Sequence, residues 1–491
     1  MQPGTDLPAH LPRTLGALRA SRYQPRTVKA ELRANMIAAL RAGPPLLPGI
    51  HGYDDTVVPA VANALLAQHD LVLLGLRGQA KTRILRTLVR FLDEWVPVVP
   101  GSPLREDPLQ PVLPATRRRL AQDGDGTAIG WLHRSERYAE KLATPDVTVA
   151  DLLGDVDPIK ASHRGLSLDD EEVLTFGIIP RSNRGLFAIN EIPDLSPRLQ
   201  VVLLNLLEER DVQVRGFPLR LPLDLALLFS ANPEDYTNRG NLITPLRDRI
   251  AAQVLTHYPD DVDVGVRITA QEAWTERDLG VAAPGALLRE LVERIAAAAR
   301  DSEFVDQSSG VSARLPIALL EAVVSNVERR TLQLGKDVGA ARLPDLFRGV
   351  PAVCGKLELV YEGEQEGPLA VADHVIGKGV AATVFAHLGE PGKDAAESKT
   401  WGPILKWFAD GKHLTLDEMT PESRRRESLL AVPGLELLVR HGKQPWVGSD
   451  DPLLAMECAL EALFRKGLLA RDRVDGRATY QDAVRTMLEG L

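Results

Sequence analysis

Four apolar residues in a row, Leu71 to Leu74, predict a buried strand. A second run, Gly185-Leu186-Phe187-Ala188-Ile189, and a third, Leu225–Phe229, read the same way. Between them the apolar spacing becomes helical. Leu199, Val202, Leu203, Leu206 and Leu207 share one side of a helix that starts near Ser196. Val57–Leu66 has a helical pattern too, as do Ile84, Leu85 and Leu88 just after the first strand. Alternating strands and helices predict a parallel α/β core. Residues 212–221 alternate like a hairpin, with Gly216 near the turn. From Pro284 onward helical periodicity dominates, with Leu287, Leu288, Leu291 and Ile295 on the apolar side.

Prolines and glycines divide this pattern. Gly43, Pro44, Pro45, Pro48 and Gly49 close an N-terminal segment. Its basic residues (Arg13, Arg19, Arg22, Arg26, Lys29, Arg33, Arg41) outnumber Asp6 and Glu31, which predicts a solvated helical face. Six prolines in 97–115 predict a long irregular insertion, and 117–126 read as exposed. No internal repeat is visible.

The 491 residues allow two to four domains, and 44% hydrophobic with 25% charged residues is an ordinary globular balance. A net charge of −9 argues against a general nucleic-acid binder, which carries a basic footprint. Aromatic residues are too few for extended base stacking. Cys354 and Cys458 alone give neither a zinc ligand set nor a disulfide framework, and a reducing cytoplasm fits. No apolar stretch reads as long enough to span a bilayer, and the N-terminus has no signal core.

The chemistry starts after the first strand. Gly75-Leu76-Arg77-Gly78-Gln79-Ala80-Lys81-Thr82 joins strand to helix, the context that a phosphate-binding loop needs. Its backbone N–H groups would wrap the phosphates of ATP, with Gly75, Gly78, Gln79 and Ala80 in the loop. Lys81 would reach the β- and γ-phosphates, and Thr82 the Mg2+. Ala80 stands where a last glycine is usual, which is tolerable if its backbone is helical.

ATP hydrolysis further needs a held metal, an oriented water and a cation for the transition state. The second strand ends in Asn190-Glu191. Glu191 is the candidate general base. Asn190 stands where an aspartate would help to hold the metal, so Asn190→Asp is expected to tighten the Mg2+ dependence. Asn232 ends the third strand, placed for the γ-phosphate or the water; turn chemistry before Pro233 would equally explain it. Arg247 and Arg249 flank Asp248, as a trans-acting arginine or as a surface ion-pair cluster. Arg314 opens an apolar helix, where the helix dipole does not favour a cation.

Taken in order, these blocks resemble the AAA+ ATPases of the magnesium-chelatase I-subunit and MoxR-like group. The 75–82 loop is similar to that group's alanine-bearing Walker A loop, and Arg184–Glu191 to its Walker B strand. Leu207-Glu208-Glu209-Arg210, leading into the 212–221 alternation, resembles its helix-2 insertion. Asn232 matches sensor 1, Arg249 the arginine finger and Arg314 sensor 2. The resemblance covers residues 48–330, with a weaker match at Gly355-Lys356-Leu357-Glu358. It implies a P-loop AAA+ parallel-sheet core with a helical lid and a mainly helical C-terminal region. The implied divisions are an N-terminal segment (1–47), a nucleotide-binding domain (48–280), a lid (281–350) and a C-terminal region (351–491).

The resemblance further implies a cytoplasmic hexameric motor that hydrolyses ATP between subunits. Such a motor remodels a protein partner or drives metal insertion. The partner implied carries a von Willebrand factor A domain on another chain, because no Asp-x-Ser-x-Ser pattern occurs here. Two alternatives stay open. One is a nucleotide-dependent scaffold that hydrolyses little, which Asn190 allows. The other is a DNA-directed AAA+ protein, against which stand the acidic balance and the missing Gly-Ala-Phe-Thr-Gly-Ala loop.

Overall fold

A computed structural model describes residues 7–43, 45–164, 173–214, 220–232, 242–277, 281–335, 339–392, 394–440, 451–474 and 477–483. Gly216 and Pro233 lie outside these residues. The chain divides into two compact units, 1–257 and 258–491.

The first unit is built on a parallel sheet of five strands: β1 (Leu71–Leu74), β2 (Tyr138–Leu142), β3 (Gly185–Asn190), β4 (Leu225–Ala231) and β5 (Ala252–Leu255). Their spatial order is β5-β1-β4-β3-β2. Every residue of β4 is buried, as are the first five of β3. Strands covered on both faces read as continuous apolar runs, which is why these two were legible. Successive side chains then feed opposite layers. Leu186 and Ala188 join α1 (Val28–Ala42), α2 (Val57–Leu66) and α3 (Lys81–Thr87) in one cluster. Phe187 and Ile189 join α4 (Pro197–Glu208) and α5 (Thr244–Arg249) in another, through Leu199, Leu203, Leu206 and Leu246.

The N-terminal segment is less solvated than expected. Glu31 is buried and takes a bidentate pair from Arg137, at 2.6 and 2.8 Å. Lys29 pairs at 2.7 Å with buried Asp70, and burial pulls its amine down. Asp224 accepts from the Val28 backbone N–H at 2.8 Å, and burial raises its carboxyl to about 6. Charges that looked like a wet face thus fasten α1 to the sheet.

The proline-rich insertion is ordered around one carboxylate. Fully buried Glu106 accepts from Val112 N and Leu113 N at 2.6 Å each, and also from Ser102 and Thr116. Pro97 belongs to a short strand, Trp95–Val98, paired antiparallel with Gly130–His133. Residues 117–123 belong to a helix, Pro114–Asp123, that buries Leu120. The expected hairpin has strands Asp211–Gln213 and Arg220–Pro222, with Val212 opposite Leu221.

The second unit contains α6 (Val262–Glu272), α7 (Ala286–Arg300), α8 (Arg314–Leu334), α9 (Pro368–Leu388) and α10 (Pro452–Arg465). Residues 258–280 had been expected with the nucleotide-binding domain. Instead α6 belongs to this unit, where Thr269 donates to Glu293 of α7. Helical periodicity also concealed a small antiparallel sheet, in spatial order β6 (Leu414–Leu416), β8 (Arg477–Asp482), β7 (Leu469–Val474). Contrary to expectation, one helix among the described residues, α9, is by length and composition long and apolar enough to cross a membrane. Its Val371, Val375, Ile376, Val380 and Val384 are buried in the helical core. At Gly379 an added Cβ would lie 2.5 Å from Ile295 Cα, so glycine sets the approach of α9 to α7.

Candidate functional site

The ends of β1, β3 and β4 bring Lys81, Thr82, Asn190, Glu191 and Asn232 together. β1 ends at Leu74, and Gly75 N–H donates to Ala231 O of β4 at 3.2 Å. A Cβ on Gly75 would fall 1.9 Å from Thr256 Oγ1 and 2.2 Å from Gln79 Oε1, so the loop closes only around glycine. Gln79 is buried and accepts from Thr256 Oγ1 at 2.7 Å. Tyr53 Oη donates to Gln79 O at 3.0 Å and His257 O at 2.8 Å. These bonds brace the loop from behind.

Gly78 and Ala80 both have left-handed backbones, with φ of 72° and 57°. The expectation of a helical backbone at Ala80 is therefore corrected: the alanine occupies a glycine-type position. Left-handed residues alternating with right-handed ones turn successive N–H groups toward one concavity, the geometry that binds anions. The left-handed form costs an alanine about 1 kcal/mol or more. Ala80→Gly is therefore expected to stabilise the chain by roughly 1 kcal/mol in urea unfolding. Equal or lower stability would show that the loop carries no such strain.

Lys81 opens α3 and is buried. Its Nζ donates to Asn232 Oδ1 at 2.5 Å, to Leu76 O at 3.0 Å and to Gly75 O. Thr82 Oγ1 donates to Asn190 Oδ1 at 3.4 Å, and Ser230 Oγ donates to the same oxygen at 3.2 Å. Glu191 has a left-handed backbone, φ 55°, and its N–H donates to Ser230 Oγ at 3.2 Å. A glutamate held this way is uncommon, and such outliers concentrate at functional sites. Lys81, Thr82, Asn190, Glu191 and Asn232 thus meet at the C-terminal edge of the sheet, where ligands bind in open α/β folds. A cation, a hydroxyl, an amide oxygen and a carboxylate beside an anion-type loop are a donor set that fits Mg-ATP.

The three candidate arginines do not enter these bonds. Arg249 ends α5, pairs with Glu208 at 2.6 Å and donates to Pro245 O at 2.9 Å. Arg247 is exposed. Arg314 is exposed at the start of α8, in the second unit. The sequence reading missed Ser230, Thr256 and Tyr53. Ser230 and Thr256 lie two residues or fewer from a predicted residue or at a strand end, but isolated hydroxyls carry no pattern.

No protein-family model matches this chain, and no curated protein matches its sequence. Solved structures do resemble it. One is the complex between subunits BchI and BchD of magnesium chelatase: 19% identity, 65% of this chain and 97% of that chain, TM-score 0.34. Another is the closed state of Hsp104 with ATPγS and casein: 13% identity, 66% and 52% covered, TM-score 0.38. A third is NtrX from Brucella abortus in complex with ADP: 11% identity, 63% and 52% covered, TM-score 0.33. The chain thus spans about half the length of the latter two. At these scores the likenesses carry no argument about function.

Proposed function

We propose that this chain is an AAA+ ATPase of the magnesium-chelatase I-subunit and MoxR-like type, working as a ring-forming motor on a protein partner. The observation that carries the reading is the Lys81–Asn232 and Thr82–Asn190 contacts, which join a left-handed anion loop to the ends of two neighbouring strands. Bound Mg2+ would supply charge neutralisation at the phosphates. Loop residues 75–80 and Lys81 hold the phosphates. Thr82 and Asn190 face the metal. Glu191 takes the proton of the attacking water, and Asn232 orients that water or the γ-phosphate. Arg249 of a neighbouring copy, released from Glu208, neutralises the transition state, and Arg314 reaches bound phosphate. The ring is a hexamer, and the partner carries a von Willebrand factor A domain on a separate chain. Mg2+-dependent release of phosphate from ATP by the purified chain, measured with and without such a partner, tests the reading. No nucleotide binding under any condition would sink it.

Asn190 favours a second reading, a scaffold that binds ATP and hydrolyses little. Binding without turnover, even with the partner present, would select it.

Arg249→Ala is expected to leave ATP binding nearly intact and to cut turnover strongly. Mixing this variant with Glu191→Gln chains restores some hydrolysis, because a mixed interface joins an intact Glu191 to an intact Arg249. Mixtures shown to co-assemble but without rescue would leave Arg249 as a structural partner of Glu208, with Arg247 next to be tested.

A further inference from the structure

Ser230 is the single polar residue of β4, whose sequence is Leu-Ala-Leu-Leu-Phe-Ser-Ala, and it is buried. A buried hydroxyl is costly unless it is hydrogen-bonded. Two bonds join this one to the end of the neighbouring strand β3. Ser230 Oγ accepts from Glu191 N–H and donates to Asn190 Oδ1, at 3.2 Å each.

The chemistry of the groups fixes the direction of these bonds. A backbone N–H only donates, so the Ser230 oxygen accepts there and its one proton is left for Asn190. The Asn190 oxygen, with two lone pairs, takes that proton and also the Thr82 hydroxyl at 3.4 Å. The register agrees. Leu73 of β1 lies opposite Ser230 and shares a cluster with Leu228 and Ala188, on the face that α3 covers. Ser230 stands two residues on from Leu228, and Asn190 two on from Ala188, so both side chains meet Thr82 on that face.

The turn at Glu191 is the strained part of the site. Its backbone is left-handed, φ 55°, and Asp194 N–H closes the following turn onto Glu191 O at 3.0 Å. A residue other than glycine keeps such a backbone only where its surroundings over-determine it. This dihedral sets the direction in which the carboxylate leaves the strand.

We propose that Ser230 is a positioning residue for hydrolysis: its one hydroxyl holds the left-handed turn that aims Glu191 and ties that turn to Asn190. This rests on the reading of Glu191 as the general base.

Ser230→Ala in the full chain tests it, because alanine keeps the strand apolar and removes only the hydroxyl. The first readout needs no nucleotide. Hydrogen exchange of the Glu191 amide, followed by mass spectrometry of the peptide that carries it, should quicken by about tenfold, the scale of one lost hydrogen bond. Urea unfolding run in parallel separates this local opening from a global loss. The second readout splits binding from turnover. Affinity for an ATP analogue should stay within about threefold of wild type while turnover falls by about tenfold or more, the scale of a small misplacement at a reacting centre. In a Glu191→Gln background Ser230→Ala should cost little further turnover, since residues that act as a unit are not additive. Ser230→Thr keeps the hydroxyl on a side chain suited to a strand, and should exchange and turn over near the wild-type rates. Unchanged exchange at Glu191 in Ser230→Ala overturns the proposal, as does an equal fold-loss of turnover in both backgrounds. Faster exchange together with undiminished turnover in Glu191→Gln removes the general-base reading instead, and the proposal falls with it.

Discussion

Lys81→Ala is expected to abolish binding of ATP. Lys81 Nζ is the cation placed between the loop carbonyls of Gly75 and Leu76 and the strand-end Asn232. The substitution therefore removes the charge that would meet the β- and γ-phosphates. It also leaves those carbonyls short of a donor, so urea unfolding should accompany the measurement to separate lost binding from lost structure. Equilibrium titration with an ATP analogue reads the effect. Unchanged affinity in a folded variant would show that the loop is not a phosphate site.

Glu191→Gln is expected to keep ATP binding and to slow hydrolysis by about 10²-fold or more, the scale of a general base. The carboxylate is held at the end of β3 by a left-handed backbone and by the bond from its N–H to Ser230. Glutamine keeps the size and polarity of the side chain but cannot take a proton. A fall in affinity together with turnover would mean that the residue shapes the site rather than acting as a base. Equal turnover in variant and wild type would remove Glu191 from the mechanism.

What the sequence by itself determined is the centre of the first unit. β1, β3 and β4 are buried on both faces, so each leaves a continuous apolar run. The loop after β1 and the polar residues after β3 and β4 were legible because each follows such a run directly. The helix after β3 was legible because its apolar residues recur at helical spacing.

Tertiary structure decided the rest. The flanking strands β2, Tyr-Ala-Glu-Lys-Leu, and β5, Ala-Gln-Val-Leu, are only partly buried and carry no apolar run. Partners across the sheet, rather than local pattern, make them strands. β7 and β8 are likewise rich in charge, and their register is set by pairing with each other. The left-handed backbone of Ala80 was invisible because the sequence shows a residue and not its dihedral. The pairings Glu31–Arg137, Arg249–Glu208 and Arg86–Glu140 join residues from 41 to 106 positions apart. Electrostatic partners at such separations are chosen by the folded chain, since only its packing brings the two charges within a few ångströms. For the same reason the sequence supplied Asn190, and only the sheet register set Glu140 diagonally from it on the neighbouring strand.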